Sequence, residues 1–263
     1  MKKNLRLVRL LVRMRLSHLM VFRFSFFGAF FVDGTLFAVQ ILMFSAIYGQ
    51  VDAIGRWTRG QMLIFIGTFS LINALNMAVF FFGINDIPRK IREGTLDAYV
   101  TKPVNPLLRL TFESVNPGSL PLIPLSLVIV LSGVREAGVA VDAGLALAYA
   151  AMVLLMTLLW YDMELIVRTL PFFTLSIRGA DQLEGTALDL CMKVPGTLFR
   201  GAFRLVFCLF VPYGVMSTVP TQLLTRTLSP AGALYALLLC ASFTAFALLF
   251  WRFGLRHYKS AGG

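Results

Sequence analysis

Six stretches of this chain stay apolar for about as long as a helix needs to cross a bilayer, and basic residues collect at their ends. An α-helix rises about 1.5 Å per residue, so roughly 20 apolar residues span the hydrocarbon core. Residues 24–48, 61–84, 120–134, 143–167, 198–219 and 231–253 meet that requirement; the third run is short and proline-bounded, and the fifth contains Pro212. Backbone polar groups in lipid must be satisfied within each segment, so the predicted fold is an all-α integral membrane protein with six transmembrane helices. Of the 263 residues, 58% are hydrophobic and only 14% charged, more apolar surface than a water-soluble fold of this length hides. The first run follows seven Lys or Arg residues, is too long for a signal-peptide core and has no convincing small-residue cleavage site, so it is expected to remain as a span.

The net charge of +11 does not indicate a nucleic-acid partner, because the basic residues border apolar runs and form no patch with interleaved aromatics. Twenty Lys and Arg residues fall on one side of the six spans and four on the other. That asymmetry places both termini and the two longer polar loops in the cytoplasm, and the chain in the inner (cytoplasmic) membrane. Within residues 1–22, Lys2, Arg6, Arg9 and Arg13 recur at helical spacing beside Leu5, Val8, Leu11, Val12, Leu16 and Leu19. This pattern predicts an amphipathic helix lying in the membrane interface; the alternative is a run of orienting charges before the first span.

Few residues carry chemistry. No G-x-x-x-x-G-K-[ST] loop exists to cradle nucleotide phosphates. Cys191, Cys208 and Cys240 are widely spaced, and His18 and His257 have no metal-ligating neighbours, so no metal site is expected. Asp162 and Glu164, at i and i+2, point to different sides of a helix and read as interfacial charges. Asp33 and Gln40, at i and i+7, share a helix face and are candidates for a substrate route or an intersubunit seam, unless Asp33 simply stays hydrated near the interface. Asn73 and Asn76 either pack across helices or face a pathway.

The stretch 85–106, NDIPRKIREGTLDAYVTKPVNP, is expected as a short charged helix, a break at Gly94, a second short segment and a Pro-rich exit. Its apolar Ile87, Ile91, Leu96, Tyr99 and Val100 recur at near-helical intervals, which predicts that a cytoplasmic partner or the membrane surface covers that face.

Residues 91–110, IREGTLDAYVTKPVNPLLRL, resemble the cytoplasmic loop of type-2 ATP-binding-cassette (ABC) transporter permeases, in which I-x-x-G-x-L-D-x-x-L-x-K-P follows the second span. Gly94, Leu96, Asp97, Lys102 and Pro103 match, with Val100 where leucine is usual. The resemblance covers nearly the whole chain, including Phe172-Phe173, Pro195-Gly196-Thr197-Leu198-Phe199, Val211-Pro212-Tyr213 and Pro220. It implies a permease subunit working with two copies of a separate ATPase, beside a second permease chain, identical or homologous. ATP and Mg would be bound by the ATPase and no cofactor by this chain. The loop at 85–110 would be the coupling surface, with Asp86, Arg89, Lys90, Glu93, Gly94, Leu96, Asp97, Lys102 and Pro103 as its contact set. Residues 220–230 would form a re-entrant or external cap between spans five and six. Residues 168–194, with Arg178, Asp181, Glu184, Asp189 and Lys193, are longer and more charged than a simple loop, and a second ATPase contact there is a hypothesis.

The expected function is export of an amphipathic, lipid, glycan, peptide or drug-like substrate, with no covalent step on this chain. The runner-up is an ion-gradient-coupled secondary transporter, which calls for inverted repeats and paired intramembrane carboxylates. An intramembrane enzyme needs clustered His, Glu or Cys at depth, and the sequence offers none.

Overall fold

The computed structural model describes residues 23–174 and 176–258, so the interfacial helix expected over 1–22 lies outside the described residues. The architecture is a bundle of long helices joined at two ends, with one two-stranded hairpin. Helix α1 (Arg23–Tyr48) leads into β1 (Ala53–Ile54) and β2 (Trp57–Thr58), which pair antiparallel in the register Ala53↔Thr58. Thr58 caps α2 (Arg59–Val79) through a reciprocal box with Gln61, which fixes where the second crossing starts.

At the far end of α2 the chain breaks into four short helices: α3 (Phe81–Asn85), α4 (Ile87–Arg92), α5 (Asp97–Val100) and α6 (Pro106–Phe112). Helix α7 (Leu122–Glu136) returns to the hairpin end, where Glu136 pairs with Arg59 at 3.4 Å. Helix α8 (Ala143–Thr169), capped by Asp142, then runs back to the end carrying α3–α6, called here the charged end. Helix α13 (Pro230–His257), capped by Ser229 with Pro230 in its first turn, makes the last crossing, so its Trp251 packs with Ile84 and Ile87 at the charged end.

The segment between α8 and α13 departs from the sequence expectation. Helix α9 (Arg178–Lys193) begins at the charged end, where Asp181 meets Arg168 at 2.6 Å. It then runs toward the hairpin end, where Thr197 receives the Trp57 indole N–H at 2.8 Å. Its 16 residues make a helix of about 24 Å. The predicted fifth span instead divides into α10 (Gly201–Leu205, continued by a π-helical turn through Phe210), α11 (Tyr213–Met216) and α12 (Thr218–Leu224), bent by 77° at Val211-Pro212. Arg200 before it and Thr225 and Thr227 after it line one cleft at the hairpin end, so α10–α12 dips into the bundle and comes back out. The cap expected over 220–230 is therefore divided: residues 220–224 finish the rising arm α12, with Pro220 buried inside it, and 225–229 are a turn.

Among the described residues, five helices are long and apolar enough to cross a membrane, or six if the bent pair is taken as one span. Helix α9, at 16 residues and carrying five charged side chains, is too short and too polar to be counted among them. Two apolar cores support the bundle: a large one centred on Phe65, Ile66, Met156, Leu159, Tyr213 and Met216, and a smaller one at the charged end around Ile84, Leu96, Leu110, Leu165 and Trp251.

The turn just after α9 is packed against α11 by backbone contact. A Cβ on Gly196 would sit 2.3 Å from the Gly214 carbonyl oxygen, closer than a carbon can approach. Gly196→Ala is expected to lower stability by about 1–3 kcal/mol, read as a lower unfolding temperature of the detergent-purified chain. Gly179→Ala, at an α9 position with open space around it, is the control and should leave the melt unchanged.

Candidate functional site

The loop 85–110 is a compact unit built on one buried cation. The Lys90 side chain is only 8% exposed, and its ammonium bonds Asp86 and, at 2.9 Å, Glu113. Glu113 also accepts from the Tyr99 hydroxyl at 2.7 Å, and Arg109 lies 4.3 Å from the Tyr99 ring centre. Burial works against the charge on Lys90, but the hydrogen bonds it donates to Asp86 and Glu113 outweigh that and hold its pKa above the ordinary value. Burial likewise opposes the charge on Asp86, and its bonds to Arg89 and Lys90 overcome that and hold its pKa below the usual carboxylate range. Gly94 has φ +70°, the left-handed geometry in which a side chain is strained, so the turn between α4 and α5 needs glycine.

The structure separates the nine predicted coupling residues into two sets. Arg89, Glu93, Lys102 and Pro103 are exposed, with Asp86, Gly94 and Asp97 half-buried. Lys90 and Leu96 are buried and shape the loop from inside. The expectation that a partner covers the loop's apolar face is corrected in the same way. Ile87, Ile91, Leu96 and Tyr99 pack on Leu165, Ala247 and Trp251 of the chain's own α8 and α13, and of that set only Val100 is left exposed. The Asp97 carboxylate also acts on Tyr258 just past α13; after burial, it is what pushes that phenol up to about 12.

A chain of polar contacts leads from this loop into the bundle. Arg168 Nε donates to Asn85 at 2.9 Å, while Nη1 pairs with Asp181 at 2.6 Å and Glu184 at 3.0 Å. Glu184 accepts from Tyr213 at 2.8 Å, at the tip of the α10–α12 hairpin. The contacts thus join α3, α8, α9 and the hairpin. Sequence reasoning missed this set; a buried Arg at the end of span four beside a helix with acids at i and i+3 was its only signal.

The remaining candidates are dispersed. Gln40 is buried and donates to the Met192 carbonyl at 2.7 Å, tying α1 to the end of α9. Asp33, on the same face of α1, is half-buried and keeps one carboxylate oxygen without a partner among the described residues. Asn76 donates to Glu164 at 3.0 Å across α2 and α8, whereas Asn73 is half-buried and makes no such bond among the described residues. Asp162 and Glu164 are not interfacial charges: both are buried, Asp162 bonding Thr244 of α13 and Glu164 bonding Asn76 of α2. Opposite helix faces put them out of reach of each other, as the i, i+2 spacing requires. Among the described residues no group of His, Cys, Asp and Glu could hold a metal.

One further feature is α9 itself. Gln182, Gly185, Thr186 and Asp189, at i, i+3, i+4 and i+7, form an exposed stripe on a helix whose other face buries Glu184, Ala187 and Cys191. Clefts open at both ends of the bundle: one of about 620 Å³ between α4 and the start of α9, and one of about 650 Å³ between the β-hairpin and the ends of α10–α12.

Long apolar helices, a polar helix running between the same two ends and a structured charged loop define a helical, multi-pass membrane protein. The chain belongs to the ABC-2 family of transporter proteins, whose model matches residues 35–262. No curated protein and no solved structure matches it. Membership makes it the membrane part of an ABC transporter and implies an ATPase that works with it.

Two outcomes test the polar chain and the loop. Arg168→Ala strands the buried Glu184 and should cost about 3–5 kcal/mol, against about 1 kcal/mol for Tyr213→Phe, compared by denaturation in detergent. Because the folded Asp86 pKa is depressed, its contribution is present above its ordinary value of 3.8 and is lost as pH falls through the lowered one. Amide exchange at 86–100, corrected for its intrinsic pH dependence, should therefore accelerate below about pH 4 in wild type and not in Asp86→Asn.

Proposed function

We propose that this chain is the permease subunit of an ABC exporter and that its polar helix α9 lines the transport route. The observation that carries this reading is the exposed stripe Gln182, Gly185, Thr186 and Asp189 on a helix running from one end of the bundle to the other. A carboxylate and an amide facing hydrocarbon are costly, so such a face belongs against water or protein. A second permease chain, identical or homologous, set against this face would enclose a hydrated route between the two copies of α9.

In this reading α1, α2, α7, α8, α9 and α13 are the six crossings, the termini and the loop 85–110 face the cytoplasm, and α10–α12 re-enters from outside. Placing Lys193, Arg200 and Arg204 outside leaves seventeen basic residues inside against seven, and the orientation stands. The site is the inner membrane. Two ATPase subunits, holding ATP and Mg, dock beneath the exposed face of α4 and α5. Their closure moves the loop as a unit through its Lys90 centre, and Arg168 transmits the shift to α9 and the hairpin tip. Transport then follows from two states of the assembly that the nucleotide stabilises differently. Export of an amphipathic, lipid, glycan, peptide or drug-like cargo fits the outward cleft. An ion-coupled carrier would use Asp162 and Glu164, but each is hydrogen-bonded on a different helix face and neither lines either of the two clefts.

Purification from the native membrane should bring down an ATPase; its absence would overturn the transporter reading. Ala98→Glu and Lys102→Glu, both exposed, should release that ATPase while leaving the permease folded. Thr186→Cys should react with a membrane-impermeant thiol reagent at a rate that changes with nucleotide state, and labelling unaffected by ATP would sink the assignment of α9 to the route.

A further inference from the structure

The cleft at the charged end has an unusual charge arrangement. Four arginines line it: Arg89 and Arg92 from α4, Arg168 from α8, and Arg178 at the start of α9. Two of them are neutralised. Arg89 pairs with Asp86 at 2.7 Å and Glu93 at 3.1 Å, and Arg168 pairs with Asp181 and Glu184. Arg92 and Arg178 make no ion pair among the described residues, yet they belong to the two walls of the same concavity. The rest of the lining is polar as well: Asn85, Ser176, the Arg168 side chain, which is 10% exposed, and the Asp181 carboxylate, which is taken up by Arg168.

Two uncompensated guanidiniums lining one cleft give it a positive potential that favours an anion there. The guanidinium fork matches the oxygen spacing of phosphate, and about 620 Å³ suits a headgroup or a small phosphorylated molecule. The cleft also lies where the apolar helices end, which under the proposed topology is the depth of the inner-leaflet phosphates. We propose that it is a binding site for a phosphate-bearing anion held between Arg92 and Arg178, so that occupancy ties the coupling loop to the foot of α9. The depth argument rests on the function proposed above; the charge argument does not.

The test uses the full chain in phosphatidylcholine nanodiscs with and without a minor fraction of phosphatidylglycerol, read by native mass spectrometry. In parallel, inorganic phosphate is titrated while amide exchange is followed at 176–182. Wild type should retain phosphatidylglycerol, or be protected by phosphate, with binding on the order of tenfold weaker in Arg92→Ala and in Arg178→Ala. Lysine at either position should restore part of it, and Arg252→Ala, exposed and outside the cleft, should not change it. Lipid retention identifies a headgroup as the source and phosphate protection a soluble anion; either upholds the site. Equal binding in all variants, or neither probe binding wild type, overturns it. So does loss of a bound ATPase from these variants with anion binding unchanged, which would make the cleft a protein contact. The measurement needs no transport, so failure of the exporter reading would show separately as the absence of an ATPase in purified material.

Discussion

Arg168 is the group on which the interior depends. Its guanidinium is nearly buried at the end of α8, and it is acceptable there only because Asn85 of α3 and Asp181 and Glu184 of α9 approach it from two other elements. Those carboxylates in turn make it possible for α9, an acid-bearing helix, to sit among apolar neighbours. Glu184 uses its second oxygen to hold Tyr213, which fixes how deeply the α10–α12 hairpin dips. One cation therefore settles the position of a loop, a crossing helix and a re-entrant hairpin, because each of its partners is costly to leave unpaired.

The loop 85–110 has the same logic on a smaller scale. Lys90 gathers Asp86 and Glu113, Tyr99 covers the cluster, and the apolar residues turn in against α8 and α13. A rigid connector of this kind moves as a body, which is what a mechanical link to an ATPase requires. Its exposed side is narrow and mostly polar or small: Glu93, Thr95, Ala98, Thr101, Lys102 and Pro103.

The sequence was legible where lipid sets the rule. Lengths of apolar runs located α1, α2, α7, α8 and α13 to within a few residues, and the turn at Gly94 followed from its place in the motif. Helix α9 was not legible, because hydropathy tests a helix alone and α9 satisfies its charges on Arg168 and its own Lys193. The apolar run at 198–219 then looked like the missing span, and its fold-back shows only in the shared lining of the hairpin-end cleft. Likewise, the buried roles of Lys90 and Leu96 depend on partners far along the chain, Glu113 for one and Trp251 for the other, which periodicity within the loop does not reveal.

The polarity of α9 bears on how the protein is made. A segment of about 24 Å carrying two aspartates and a glutamate partitions poorly into lipid by itself. Arg168 emerges from the ribosome thirteen residues before Asp181, so the counter-charge is already seated in α8 when α9 reaches the insertion machinery. Tyr213 arrives later still, after α9 is complete. Under the proposed topology, biogenesis of this chain is thus an ordered event, in which one helix enters the membrane on the strength of the one synthesised just before it.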